Sequence, residues 1–317
     1  MRRGLFFAVC LLAFVVSEVG ATTPKVRVAR YRGDKQCAIS YTFDDGLRDQ
    51  YTLAAPLLEE LGWRGTFAIN GRKIDVAMIK GDTTRFTWQE AADLARRGHE
   101  ISNHGWEHKK MTRLTEERIK QEIALNDSAI LHNVGRYPLS FCYPYNSKDS
   151  LIRRMAEQGR VTSRMYQIAI GKASSAQKMT RWVDRTIRDG SWGIGMTHGI
   201  LTGYDAFNDF ADFENHLLYT KSHEDKIWVA PLAEVAAYVT EQNSVVLDTE
   251  IKKNQIVVKL HLSLDSELYN EPLTLVIEGV KRVKKAQQGG RKLDVEACGD
   301  VFMVEVNPHG KPVKIKF

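Results

Sequence analysis

Four short stretches of this chain carry side chains capable of chemistry, and each follows an apolar run. The first is Thr42-Phe43-Asp44-Asp45-Gly46. Two adjacent carboxylates disfavour joint ionisation unless each has its own partner. A cation that takes one and leaves the other as a base resolves the conflict, although Asp-Asp-Gly is also good turn chemistry. The second stretch runs from Gly98 to His108 and contains His104 and His108. Four residues apart, these share a face on a single helical turn, where both imidazoles can reach one ion. Two histidines with one carboxylate leave coordination positions open, which is the pattern of a catalytic rather than a structural metal site. His99 reads as a structural residue of the preceding strand. The third stretch is Phe141-Cys142-Tyr143-Pro144-Tyr145-Asn146, and the fourth is Gly195-Met196-Thr197-His198-Gly199, where His198 ends an apolar strand.

The elements that must position these residues are legible as alternation. Strands are expected at 36–43, 65–70, 99–103, 139–143, 161–168, 193–197 and 226–229. Helical patterns lie between them at 49–61, 88–97, 116–133, 148–158, 177–189 and 207–219, and 233–240 closes the series. Thr87-Trp88-Gln89-Glu90 has the form of a capping box, and Gly62 and Gly98 stand where helices should stop. Seven strands alternating with helices specify a parallel sheet, open or closed into a barrel. In a β/α barrel the strand C-termini converge on one mouth where function concentrates, and all four stretches fall at that end.

After residue 243 the pattern changes. In 256–264, Ile256, Val258, Leu260, Leu262 and Leu264 face one way, and Val257, Lys259, His261 and Ser263 the other. Further strands are expected at 273–277, 301–306 and 313–317, with turns at Gly289-Gly290 and 307–310. The expected organisation is a leader at 1–21, a barrel at 22–243 and a small all-β, sandwich-like module at 244–317. The basic run 281–285 reads as a solvated edge of that module.

Taken together and in order, T-F-D-D-G, H-x-x-x-H, the aromatic–Pro–aromatic strand end and the apolar strand ending in His resemble the polysaccharide deacetylase family of NodB homology, carbohydrate esterase family four. The resemblance covers about residues 36–240. It implies a distorted seven-stranded (β/α) barrel and a divalent metal, usually zinc, bound by an Asp-His-His set. It also implies hydrolysis of N- or O-linked acetyl groups on a polysaccharide or oligosaccharide. Residue by residue, Asp44 matches the general base, Asp45, His104 and His108 the metal ligands, and His198 the general acid. Tyr145 matches a position whose backbone N–H helps hold the oxyanion. The chemistry is coherent: a metal-activated water needs a base on one side and an acid on the other, and the oxyanion needs a fixed donor.

Two features depart from the family pattern. Cys142 stands where an arginine usually pairs with the base, so Asp44 is expected to titrate higher unless Arg136 or Arg164 supplies the charge. The Asp and Trp that tune the catalytic histidine have no clean counterpart, and Asp184 and Trp192 are the candidate substitutes. The alternative reading is a catalytically weak, carbohydrate-binding relative, supported mainly by the missing arginine. A non-haem iron oxygenase also uses two histidines and a carboxylate, but that chemistry normally sits in an all-β barrel.

Composition sets the outer limits. The chain has 317 residues, 43% hydrophobic and 26% charged, with 23 Gly and 8 Pro. These proportions exclude a collagenous or disordered chain. After residue 20, no apolar run approaches the ~18 residues needed to span a bilayer. Arg2-Arg3, the uncharged stretch 4–16 and Val19-Gly20-Ala21 have the three-part order of a secretory signal, so a secreted or periplasmic protein is expected. Removing residues 1–21 takes away Arg2, Arg3 and Glu18 and leaves a small positive excess, which is no nucleic-acid footprint. Cys37, Cys142 and Cys298 would then remain, too few for a disulfide framework, and no CxxC suggests a thiolate site.

Overall fold

The computed structural model describes residues 23–317, so the expected leader lies outside the described residues. The strands of the N-terminal part are β1 (Lys25–Val28), β2 (Cys37–Asp44), β3 (Thr66–Ile69), β4 (Glu100–Asn103), β5 (Ser140–Phe141), β6 (Thr162–Ser163), β7 (Ile168–Ala169), β8 (Trp192–Thr197) and β9 (Ile227–Val229). From β2 onward they alternate with α1 (Ala55–Glu60), α2 (Gly71–Lys80), α3 (Trp88–Arg96), α4 (Glu116–Val134), α5 (Ser150–Glu157), α6 (Ala176–Asp189), α7 (Phe210–Lys221) and α8 (Leu232–Ser244). A parallel sheet runs in the order β6-β5-β4-β3-β2-β8-β7, and β9 pairs with the first half of β2. It curls into a (β/α) half-barrel. Strand β2 is buried along its whole length, as a strand covered on both faces must be. Its Tyr41 and Phe43 pack with Phe67, Leu58 and Phe213 into the main core.

Local signals act as their chemistry requires. Thr87 Oγ1 accepts from Glu90 N–H, and Glu90 Oε2 accepts from Thr87 N–H, completing the capping box of α3. Gly62 and Gly98 take φ of 79° and 92° after helices, a region that favours glycine. The expected strand 161–168 is two short pieces, interrupted at 164–167, where the Arg164 side chain is buried. Helix α2 is an addition to the expected elements.

The C-terminal strands are β10 (Val246–Lys252), β11 (Gln255–His261), β12 (Leu273–Glu278), β13 (Lys285–Gln288), β14 (Arg291–Leu293), β15 (Glu296–Cys298), β16 (Val301–Val306) and β17 (Val313–Lys316). They form two antiparallel sheets, ordered β1-β12-β16-β15 and β10-β11-β17-β13-β14. Ile256, Val258, Leu275, Val304 and Ile315 fill the space between them. Gly289 and Gly290, both at positive φ, make the two-residue turn between β13 and β14. Although the expected barrel begins at residue 22, β1 belongs to the first of these sheets, with Val28 opposite Leu275. Cys37, Cys142 and Cys298 are free thiols. No helix among the described residues is long and apolar enough to cross a membrane.

Candidate active site

The four stretches meet at the C-terminal ends of β2, β4, β5 and β8. Asp44 is the last residue of β2, and Asp45 leaves the strand with φ 77°, so the two carboxylates diverge. His104 follows β4 directly. His108 does not share a helical turn with it: residues 104–110 form a loop, in which Gly105 (φ 72°) and His108 (φ 59°) fold the chain back. The spacing is right and the expected helical turn is wrong. Packing selects the bend, because α4 holds it: Glu122 accepts Trp106 N–H at its backbone carbonyl and Glu107 N–H at its side chain.

The bend places the His104 and His108 rings 4.8 Å apart, centre to centre. Asp45 Oδ1 lies 3.5 Å from His108 Nε2 and 3.9 Å from His104 Nε2. One ligating atom from each of Asp45, His104 and His108 falls within 4.8 Å of the others. Tetrahedral bonds of ~2.0–2.1 Å would set such atoms about 3.4 Å apart, so a small adjustment accommodates a zinc-sized ion. His104 Nδ1–H donates to the Cys142 carbonyl at 2.7 Å, which leaves Nε2 free to ligate. Burial lowers the pKa of both imidazoles, of His108 to about 3, and keeps them in the neutral form that binds metal. Asp45 works against burial, yet the two histidines, Lys73 and an Asn70 hydrogen bond hold its carboxyl well below the usual range. The donor set fits a divalent cation.

Asp44 is not left without a cation. Arg164, just past β6, meets it through both guanidinium nitrogens; Nη1 is 2.7 Å from Oδ1, and Nη2 bonds Oδ2. Both side chains are buried. Burial alone would raise the Asp44 carboxyl, but Arg164, with His104 and His198, holds it below its ordinary value. The expected upward shift therefore does not occur. Arg136 lines a separate cavity with Tyr137 and Leu139. Cys142 is fully buried, its thiol pushed up to about 12 by burial, and its part in the site is the carbonyl that orients His104.

His198 follows β8, with Tyr204 edge-on to its ring at 5.1 Å. Neither expected tuning residue reaches it. Asp184 accepts from Tyr219 OH on the helical exterior, and Trp192 Nε1 donates to Ser40 at the opposite end of the strand. Tyr145 sits at the rim, 66% exposed, with φ 56° and its ring 4.6 Å from that of His108. His99 is structural: it accepts Gly65 N–H and contacts Glu59. Asp49 and Gln50 escaped sequence reasoning. Gln50 donates to the carbonyls of both Asp44 and His198, and Asp49 holds the loop after His198. The only signal was their place at a helix start just after T-F-D-D-G.

The fold is a curled (β/α) half-barrel with an Asp-His-His donor set at its mouth. Residues 32–163 match the family model described as polysaccharide deacetylase. Chitin deacetylase 1 of Cryptococcus neoformans is 27% identical over 121 residues, which cover 38% of this chain and 24% of that protein. The Bacillus subtilis protein YlxY is 28% identical over 90 residues, covering 28% of each. The chain thus spans only about a quarter of the length of these curated relatives. A mutant of BA3943, a CE4 family pseudoenzyme from Bacillus anthracis with restored enzymatic activity, shares the fold. Its TM-score is 0.51 at 17% identity, over 64% of this chain and 68% of that one.

Proposed function

We propose that the barrel is a metal-dependent hydrolase that removes acetyl groups from an acetylated polysaccharide or oligosaccharide. The observation that carries this reading is the separation of tasks between adjacent carboxylates: Asp45 faces His104 and His108, while Asp44 is paired with Arg164. Asp45, His104 and His108 would hold the cation, zinc by the chemistry of the set. When bound, it supplies Lewis acidity to the acyl carbonyl and acidifies water.

The rest belongs to the chain. Asp44, kept ionised by Arg164, takes the proton from the attacking water. His198 delivers a proton to the departing sugar nitrogen or oxygen. The Tyr145 backbone N–H, on the exposed turn beside His108, is the donor for the oxyanion. The weak-binder alternative loses its main support, because Arg164 replaces the missing arginine. The order of residues 1–21 supports an exported protein, secreted or periplasmic, where acetylated glycans are found.

The test is acetate release across a panel of acetylated glycans, with and without chelator and added zinc. Release should stop with chelator and return with zinc. Asp45→Asn should lose metal, and Asp44→Asn should keep it while losing turnover by at least about a hundredfold. Chelator-insensitive release, or equal metal content in both variants, overturns the reading.

A further inference from the structure

Among the described residues, no side chain hydrogen-bonds to the His198 ring at Nδ1. This nitrogen is buried, and Asp184 and Trp192 lie elsewhere. The His198 backbone, by contrast, is held at several points. The buried Gln50 side chain donates through Nε2 to the Asp44 carbonyl at 2.6 Å and to the His198 carbonyl at 2.5 Å. One amide thus ties the end of β2 to the end of β8. Next to it, Asp49 Oδ2 accepts the N–H groups of Ile200, Leu201 and Thr202 at 2.9, 2.8 and 2.8 Å, and Thr202 Oγ1 at 3.1 Å. Consecutive amides converging on one carboxylate oxygen make a strong, charge-assisted clamp. The loop is wound tightly against it. A Cβ at Gly199 would lie 1.5 Å from the Thr202 carbonyl oxygen, and one at Gly203 would lie 2.5 Å from Leu47 Cδ1.

We propose that Asp49 and Gln50 are positioning residues that set His198 opposite Asp44, doing through the backbone what an orienting side chain would do through the imidazole. The inference rests on the reading of His198 as general acid. An acid and a base acting on one acyl carbon must keep their separation, and a misplacement of about 1 Å can cost on the order of a hundredfold in rate. Because Gln50 holds both carbonyls, it fixes that separation directly.

The test uses substrates that differ in their need for an acid. An N-acetylglucosamine tetramer loses an amine that must be protonated, whereas para-nitrophenyl acetate loses a phenolate that need not be. Gln50→Met, which keeps the length and removes the donor, should lower kcat on the tetramer about 10- to 100-fold with KM within about twofold. That loss should exceed the loss on the ester by about tenfold, at unchanged zinc content. Asp49→Asn keeps an acceptor for the three amides and should recover most of what Asp49→Ala loses. Independently of turnover, hydrogen exchange across residues 198–205 should quicken in Asp49→Ala while the barrel strands stay protected. Equal losses on both substrates, or unchanged exchange in that loop, overturns the proposal. His198→Ala is the reference: if its loss does not depend on the leaving group, the general-acid reading falls, and the clamp is judged by exchange alone.

Discussion

Arg164 and Asp44 are both excluded from water and paired through two hydrogen bonds, so each is the other's main charge partner. Removing one partner of a buried pair typically costs about 3–5 kcal/mol, because the survivor stays buried and unpaired. Arg164→Met should therefore destabilise the barrel by about that amount in urea unfolding. It should also remove the largest of the groups that oppose burial at Asp44. The carboxyl then titrates higher, its ionised fraction at a given pH falls, and the acidic limb of the pH–rate profile moves upward. Cys142 lies near enough to Arg164 that the guanidinium would favour a thiolate there, so relocating the arginine is a sharper test. Cys142→Arg alone crowds a second guanidinium into a sealed space and should destabilise. Cys142→Arg combined with Arg164→Ala should restore part of the stability and move the limb back. If the double variant is no better than Arg164→Ala, position 142 does not face the base.

The loop that follows β4 shows what an element can do that its spacing does not reveal. The i, i+4 pattern of His104 and His108 fits a helical turn or a bend equally well; packing against α4 selects the bend, and Gly105 permits it. At φ 72°, with a built Cβ 3.3 Å from Pro144 Cγ and 3.4 Å from Glu122 Oε2, that position is strained for any side chain. Gly105→Ala should cost about 1–2 kcal/mol. By displacing His108, it should also weaken zinc binding about 10- to 100-fold, the size of effect seen when a ligand loses its support. Calorimetric titration of the apo-protein reads this, and unchanged affinity would show that the bend is not what sets the ligand. The strand ends and their chemistry were legible because apolar runs and polar tips alternate along one chain. Arg164 was legible only as one of two candidates with Arg136, since 161–168 reads as one strand and nothing in residue order says which arginine is buried beside the base. Asp49 and Gln50 were hidden for a similar reason: their partners lie some 150 residues away, on the loop after β8.

At the scale of the whole molecule, the barrel and the β module share a seam. Strand β1 leaves the N-terminal side to pair with β12, and Tyr238 of α8 packs in the module's core while donating to the Ala29 carbonyl. Arg32 bridges Glu234 of α8 and Glu271 before β12, with its guanidinium 4.9 Å from the Trp228 ring centre. The seam also holds Glu241, fully buried, which accepts Glu271 N–H through Oε1 and has no partner for Oε2. Burial, offset in part by the hydrogen bond from Glu271 N–H and by Arg32 but reinforced by the negative charge of Glu271, pushes its carboxyl up to about 7. Unfolded, it would titrate near the ordinary value of 4.5. Between those values the native state holds more protons than the unfolded one, so this group's contribution to stability falls as pH rises from about 4.5 to about 7. Glu241→Gln removes that titration while keeping an acceptor for Glu271. The variant should be the more stable protein at pH 8 by on the order of 1 kcal/mol, after allowing for the unpaired amide N–H it introduces, with the gap closing toward pH 5. Urea unfolding at the two pH values measures it. Parallel curves for the two proteins would show that Glu241 is not what makes the seam sensitive to alkali.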